Sequence, residues 1–300
     1  MKRKSKPIDS AVMTKVLITG PTGTVGKSVL ENLSEREHEL EIFAGVRNKK
    51  KSSELLKTFR AKPVQFDFTE LNTFTPALAQ MDMIFLLRPP QLADVNTYFK
   101  PLIEIAAKTQ IKHIVFLSVQ GVQRSKWIPH HQIETLIKNS GVAYTFLRPA
   151  YFMQNFTTLL RRDLVEHQRI YLPAGKAKFT LIDVKDLGAV AAQILVSPER
   201  HIGEAYDLTN EELLTFGDMA DKLSIGLEKN IRFESPNLLS FFLTKKRQGL
   251  SAAYIFVLIL LHYLPRFQST PQTTNWVQNI TGKNPKSFSE FIRRHKDTFN

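Results

Sequence analysis

The chain has 300 residues, 43% of them hydrophobic, a formal net charge of +13 and no cysteine. That length suits one large α/β domain or a nucleotide-binding domain with a smaller lobe; the missing thiols exclude disulfides and thiolate chemistry, fit a cytoplasmic protein, and leave redox chemistry to a bound cofactor. The positive charge raises nucleic acid or an anionic membrane surface as partners, yet the basic clusters at 2–6, 49–51, 245–247 and 293–296 are scattered. They form no aromatic-interleaved stripe, so solvated faces and attraction for an anionic cofactor are the preferred reading and nucleic acid is not expected.

Residues 1–12 carry lysines, an arginine and a proline with almost no apolar pattern, and read as a disordered basic extension or an upstream start. No apolar segment of signal-peptide type follows those charges. The longest apolar run, Ala252 to Leu261, is shorter than the roughly 20 residues a spanning helix needs.

The first structured stretch is KVLITGPTGTVGKSVLENL, Lys15 to Leu33. Val16, Leu17 and Ile18 form the short apolar run of a strand buried on both faces, while Val25, Val29, Leu30 and Leu33 recur at helical period. Between them Gly20, Gly23 and Gly26 predict a strand-to-helix turn that lets the backbone approach a phosphate, with the positive helix end attracting the anion. Gly20, Thr22, Gly23, Thr24, Val25 and Gly26 are the expected pyrophosphate cradle. Lys27 and Ser28 lack the four-residue spacer of a Walker-type loop.

Leu40 to Val46 reads as the second strand. Arg47 stands where an acidic residue would select NAD and an arginine accommodates the NADP phosphate, so NADP(H) is favoured over NAD(H), against the alternative that Arg47 is a loop charge. A third strand, Val64 to Phe66, ends in Asp67 and Phe68, placed for an adenine edge, although Asp67 also fits a turn residue or helix cap. Met83 to Leu87 is a fourth strand, stopped by Arg88, Pro89 and Pro90; the loop from Leu87 to Gln91 falls at a strand carboxyl end, where open α/β sheets bind ligands.

Val95 to Lys108 is an expected helix, and His113 to Leu117 a fifth strand delivering Ser118 and Gln120 to the same edge. Trp127 to Asn139 is a helix bearing His130, His131 and Glu134, and Val142 to Leu147 a sixth strand ending in Arg148 and Pro149. The alternation predicts a doubly wound parallel sheet, a Rossmann fold, with residues 13–150 as its dinucleotide-binding core.

Residues 151–300 are expected to complete that core and cover the substrate site as a mixed α/β lobe. Tyr151 to Arg162 and Leu187 to Leu195 read as helices, Ala205 to Leu208 as a strand, Thr215 to Leu223 and Ser235 to Phe242 as further helices, and Lys229 to Phe233 as a short strand. Leu250 to Leu264 is apolar nearly all round. Its weak polar face argues against membrane association and favours a helix packed over the pocket, with a homodimer contact next.

The motifs ITGPTGTVG, AGVRN, FLLRPPQ, HIVFLSVQGV, HHQIETLIKNSGVAYTFLRPAYFMQNF, LIDVKDLGAVAAQIL and TGKNPKSFSEFIRRH together resemble the NmrA-like branch of the atypical short-chain dehydrogenase/reductases, over nearly the whole chain from Met13. The resemblance implies an NAD(P)-binding fold with the nicotinamide near Ser118, Leu87 to Gln91 and Pro149 to Asn155, including Tyr151. Such proteins include quinone, azo and ergot-alkaloid reductases as well as regulators that bind the dinucleotide without turnover. None of the seven tyrosines has a lysine four residues on, so the usual acid pair of short-chain dehydrogenases is missing.

His130 and His131 occupy the region where the resemblance places a Lys or His facing the cofactor, and either is a candidate proton donor. Glu134, one turn after His130, has the spacing to orient its imidazole; a helix-start histidine beside a surface glutamate is the alternative. The adjacent histidines diverge by about 100° on a helix and have no clustered third ligand, so no metal site is expected. The expected function is hydride transfer from NADPH to a small quinone-like or conjugated acceptor lined by Gln91, Gln120, Tyr151, Phe152, Asn155 and Phe156, in a monomer or homodimer. A cofactor-sensing regulator without turnover is the alternative.

Overall fold

In the computed structural model, which describes residues 13–299, the chain opens with β1 (Thr14–Thr19), α1 (Thr24–Ser34), β2 (Leu40–Val46), α2 (Lys49–Thr58) and β3 (Lys62–Gln65). It returns through α3 (Phe74–Leu78) to β4 (Met83–Leu87), then α4 (Val95–Tyr98), α5 (Lys100–Lys108), β5 (His113–Leu117), α6 (Pro129–Asn139) and β6 (Ala143–Pro149). The basic extension expected at 1–12 lies outside the described residues.

These strands and β10 (Ala205–Leu208) form one parallel sheet in the order β10-β6-β5-β4-β1-β2-β3. The chain winds outward from β1 to β3, then restarts at β4 on the other side of β1, so the loops after β1 and β4 diverge and leave a crevice at their carboxyl ends. The central strands are apolar on both faces because helices cover both: Val16, Leu17, Ile18, Phe85, Val115 and Phe116 are inaccessible to solvent. Helix α1 packs on one face, while α3, α5 and α6 cover the other.

The remaining elements are β7 (Tyr151–Phe152), α7 (Arg161–His167), β8 (Arg169–Tyr171), β9 (Lys178–Ile182), α8 (Val184–Val196), β10 (Ala205–Leu208), β11 (Leu213–Thr215), α9 (Phe216–Leu227), β12 (Arg232–Glu234), α10 (Leu238–Arg247), α11 (Ala252–Tyr263), α12 (Trp276–Thr281) and α13 (Phe288–Arg294). Strands β11, β9 and β7 make a second small sheet, and β12 pairs with β8 in a third. A separate apolar core, including Met153, Phe156, Leu160, Phe216, Phe241 and Phe291, joins these pieces. Helix α8 instead docks on α1: a Cβ on Gly188 would stand 2.3 Å from Ser28 Oγ, and that hydroxyl donates to the Val184 carbonyl at 3.0 Å.

Two expected elements differ. The single helix at Val95 to Lys108 is broken into α4 and α5 at buried Phe99, with Pro101 in the first turn of α5, where its missing N–H costs nothing. The helix expected over Tyr151 to Arg162 is absent. Tyr151 and Phe152 pair with Leu181 and Ile182 of β9, and Met153–Phe156 is a 3-10 turn. The buried residues Met153, Phe156 and Leu160 mimic helical spacing, which is what misleads a reading by period.

Candidate functional site

The crevice is lined first by the turn from β1 to α1. Gly20 has φ +59°, and a Cβ there would lie 2.9 Å from Leu87 Cδ1. A Cβ on Gly26 would lie 2.2 Å from the Gly20 carbonyl oxygen, so the first turn of α1 sits directly on the loop only because that position is glycine. Gly23 is the N-cap and offers no side-chain cap, and the first turn of α1 carries no acidic residue. Thr22, Gly23 and Thr24 are exposed and Val25 is half-buried. A helix start of this kind presents N–H donors and a positive dipole end to an anion.

Arg47 is exposed at the end of β2 beside the exposed Asn48 to Lys50, and its carbonyl accepts from Gln65 Nε2 at 2.9 Å. Asp67 spends its carboxylate on the Thr69 N–H and hydroxyl at 2.9 and 2.8 Å, which is the turn role. Phe68 is buried, edge-on to Phe66 and tilted against Phe99. Its ring belongs to the core, so only its backbone is left to meet an adenine.

The β4 end is tied to the glycine turn: Thr19 Oγ1 donates to the Phe85 carbonyl and accepts from the Leu87 N–H, both at 3.0 Å. Arg88 turns back on its own loop, donating to the carbonyls of Pro89, Pro90 and Leu92 at 2.9–3.1 Å. Pro89 is half-buried and Gln91 exposed. Ser118, after β5, is 2% exposed; its N–H donates to the Leu147 carbonyl at 2.7 Å, but its hydroxyl has no partner. A buried hydroxyl without a protein partner leaves a hydrogen-bonding capacity unused at the carboxyl edge of the sheet.

Helix α6 departs from expectation. Glu134 does not orient His130, nor is it a surface residue. It is buried and forms two bonds with Arg148, Nε to Oε1 at 2.9 Å and Nη2 to Oε2 at 2.7 Å, pinning α6 to β6. Asp207 on β10 stands in register opposite Arg148; burial raises its carboxyl pKa and its Oδ1 has no partner. His130 lies against Phe116, ring centroids 6.2 Å apart. Burial, reinforced by the Arg88 charge, lowers its pKa to about 3, so it is a neutral imidazole near neutrality rather than an acid poised at the operating pH. His131 Nδ1 sits 3.3 Å from the Val122 carbonyl. Among the described residues no cluster fit for a metal occurs.

The later elements meet the candidate residues Tyr151 and Gln120. Tyr151 lies 3.2 Å from His262 Nε2, while His262 Nδ1 is 2.7 Å from the Leu258 carbonyl. The carbonyl fixes the proton on Nδ1, so the tyrosine hydroxyl donates to Nε2. Burial lowers the His262 pKa to about 4 and raises that of the Tyr151 phenol; both are neutral. Gln120 Oε1 accepts from Thr180 Oγ1 at 2.7 Å and its Nε2 donates to the Gln272 carbonyl at 3.2 Å, beside an open cleft of about 550 Å³ bounded by Glu211, Leu213 and residues 270–273. Pro149 is buried; Phe152 and Asn155 are half-buried. Phe156, expected in the pocket wall, is fully buried against Phe216 and Phe288; it is core.

The family of NmrA-like proteins matches residues 13–247. The chain belongs to the NmrA-like family. It is 29% identical to an NAD(P)H azoreductase of Xenophilus azovorans, over 95% of this chain and 99% of the relative. It is 28% identical to prestalk A differentiation protein A of Dictyostelium discoideum, over 95% and 92%. The solved NADPH-dependent quinone oxidoreductase of Escherichia coli in complex with NADPH superposes with a TM-score of 0.84 at 22% identity, covering 93% and 99%, which shows the fold.

Several residues of this site gave no signal in the sequence. Nothing in the spacing of Glu134, Arg148 and Asp207 announces a charge cluster, and His262 and Gln272 lie more than a hundred residues from Tyr151 and Gln120, which they touch. A signal existed for Gln154 and Asp183, which sit in two of the recognised motifs: Gln154 donates to Asp183 Oδ1 at 2.8 Å, and Asp183 also binds Arg294.

Proposed function

We propose that the chain is an NADPH-dependent reductase that passes a hydride to a small quinone-like or conjugated acceptor. The observation that carries this reading is the glycine cradle at the switch point: Gly26 admits no Cβ, and the α1 start above it has no side-chain cap. Gly20, Thr22, Gly23, Thr24, Val25 and Gly26 hold the pyrophosphate, and Arg47 takes the adenosine 2′-phosphate. Asp67 and the Phe68 backbone border the adenine.

Leu87, Arg88, Pro89, Ser118, Pro149 and Tyr151 border the nicotinamide, with the unpaired Ser118 hydroxyl supplying a hydrogen bond. The dinucleotide, when bound, supplies the hydride. Residues 13–150 bind it and bring Gln91 and Gln120 to the acceptor, which 151–300 cover through Phe152 and Asn155. His130 is neutral and the Tyr151 hydroxyl is engaged by His262, so the one proton that completes reduction of a quinone comes from solvent. Acceptors that need little acid assistance suit such a site.

The missing Tyr-x-x-x-Lys pair favours a second reading, a cofactor-sensing regulator. Oxidation of NADPH and NADH against a panel of quinones, azo dyes and enals, with binding titrations in parallel, separates the two. Turnover with NADPH preference is the expected result. Tight binding without turnover supports the regulator, and no binding of either dinucleotide refutes both.

A further inference from the structure

Helix α11 is apolar over nearly its whole length, and yet among the described residues only one face of it is fully buried. Ile255, Leu258 and His262 point inward and are buried. On the opposite side, Ala253, Phe256, Val257, Leu260 and Leu261 follow the i, i+3, i+4, i+7, i+8 spacing of a continuous helical stripe. Phe256 is 60% exposed, Val257 46% and Leu261 56%, and Phe267 just beyond the helix is 70% exposed. An isolated exposed apolar side chain needs no explanation, but a stripe along one helix marks an interaction surface.

The chain on either side of this helix is cationic, a basic rim in sequence. Lys246 and Arg247 end α10, which packs against α11, and Arg266 follows α11; all three are exposed. No aspartate or glutamate occurs between Glu234 and Glu290. We propose that this face seats the protein on an anionic lipid bilayer, with Phe256, Val257 and Leu261 entering the interface and Lys246, Arg247 and Arg266 meeting lipid phosphates.

Two observations favour a membrane over a second copy of the chain. A two-fold contact through this face would bring the same basic rim against itself, with no carboxylate in the segment to answer it. The net charge of +13 also attracts the whole molecule toward an anionic surface. The helix alone has no polar face because the inward face is apolar too; the polar counterpart is the protein body beneath it. The helix is too short to cross, and no helix among the described residues is long and apolar enough to do so, so the association is peripheral.

The test is flotation of the full chain with phosphatidylcholine vesicles and with vesicles containing phosphatidylglycerol, at low and high salt, alongside sedimentation without lipid. The expected result is flotation with the anionic vesicles alone, weakened by salt. Phe256→Asp with Leu261→Asp should abolish it, and neutralising Lys246, Arg247 or Arg266 to Gln should each weaken partitioning roughly fivefold. No flotation of the wild-type chain, or equal flotation of the Phe256→Asp/Leu261→Asp variant, overturns the proposal. So does a lipid-free dimer that this variant dissociates, which would assign the face to a second copy. None of these readouts depends on dinucleotide binding.

Discussion

The Glu134–Arg148 pair offers the sharpest test of how this site is held. Both side chains are almost fully buried, 5% and 9% exposed, and the two bonds between them bridge α6 to β6. Removing one partner from such a pair leaves an uncompensated charge out of water, at a cost of about 3–5 kcal/mol. Glu134→Ala is expected at the lower end, about 3 kcal/mol, because Asp207 faces Arg148 across the β6–β10 pairing with an unpartnered oxygen and supplies a second countercharge. In an Asp207→Asn background, which removes the third charge, the double variant Glu134→Leu with Arg148→Met keeps apolar volume and should restore most of the loss. Urea unfolding followed by circular dichroism measures both. A single substitution costing less than about 1 kcal/mol, or a double variant no better than the single one, refutes the account of a buried pair that stabilises only while complete.

Gly26→Ala should weaken dinucleotide binding at least about tenfold, since a Cβ 2.2 Å from the Gly20 carbonyl oxygen forces the turn and the helix start apart; fluorescence titration with NADPH measures it, and unchanged affinity removes the cradle. Arg47→Glu should weaken NADPH about ten- to hundredfold while sparing NADH, the worth of one hydrogen bond to a charged group, and an unchanged preference removes Arg47 from the site. The fold should also lose stability on mild acidification. His113, His130 and His262 have folded pKa values of about 4, 3 and 4, below the unfolded value, so the unfolded chain takes up more protons; stability is complete above about pH 6.5 and falls as pH drops toward 4. Each such histidine contributes on the order of 2 kcal/mol between about pH 7 and 5. Urea midpoints that stay flat over that range would show that these rings are protonated in the folded state.

The doubly wound parallel sheet was legible because its information is local. Short apolar runs such as Val16–Ile18 and His113–Leu117, bounded by turn residues, read as central strands, the glycines at 20, 23 and 26 state a tight turn into a helix, and the helices that flank the sheet carry apolar stripes. Where burial in a distant partner imitates a period, that reading fails: Met153, Phe156 and Leu160 are spaced as on a helix, yet Tyr151 and Phe152 become a strand because β9 offers Leu181 and Ile182 beside them.

By itself, then, the sequence determined the fold class, the turn at the ligand edge and the family, all of which rest on residues near one another in the chain. Tertiary structure alone decided which charges pair. Glu134 has His130 one turn away on its own helix but bonds Arg148, because burial makes an ionised carboxylate seek the nearest buried cation wherever the chain delivers it. The same holds for Tyr151, whose hydroxyl is fixed by His262, and for α11, whose inner face is buried against the protein and whose apolar outer face stays exposed among the described residues. Hydropathy reports that a side chain leaves water; only the assembled fold shows what it leaves water for.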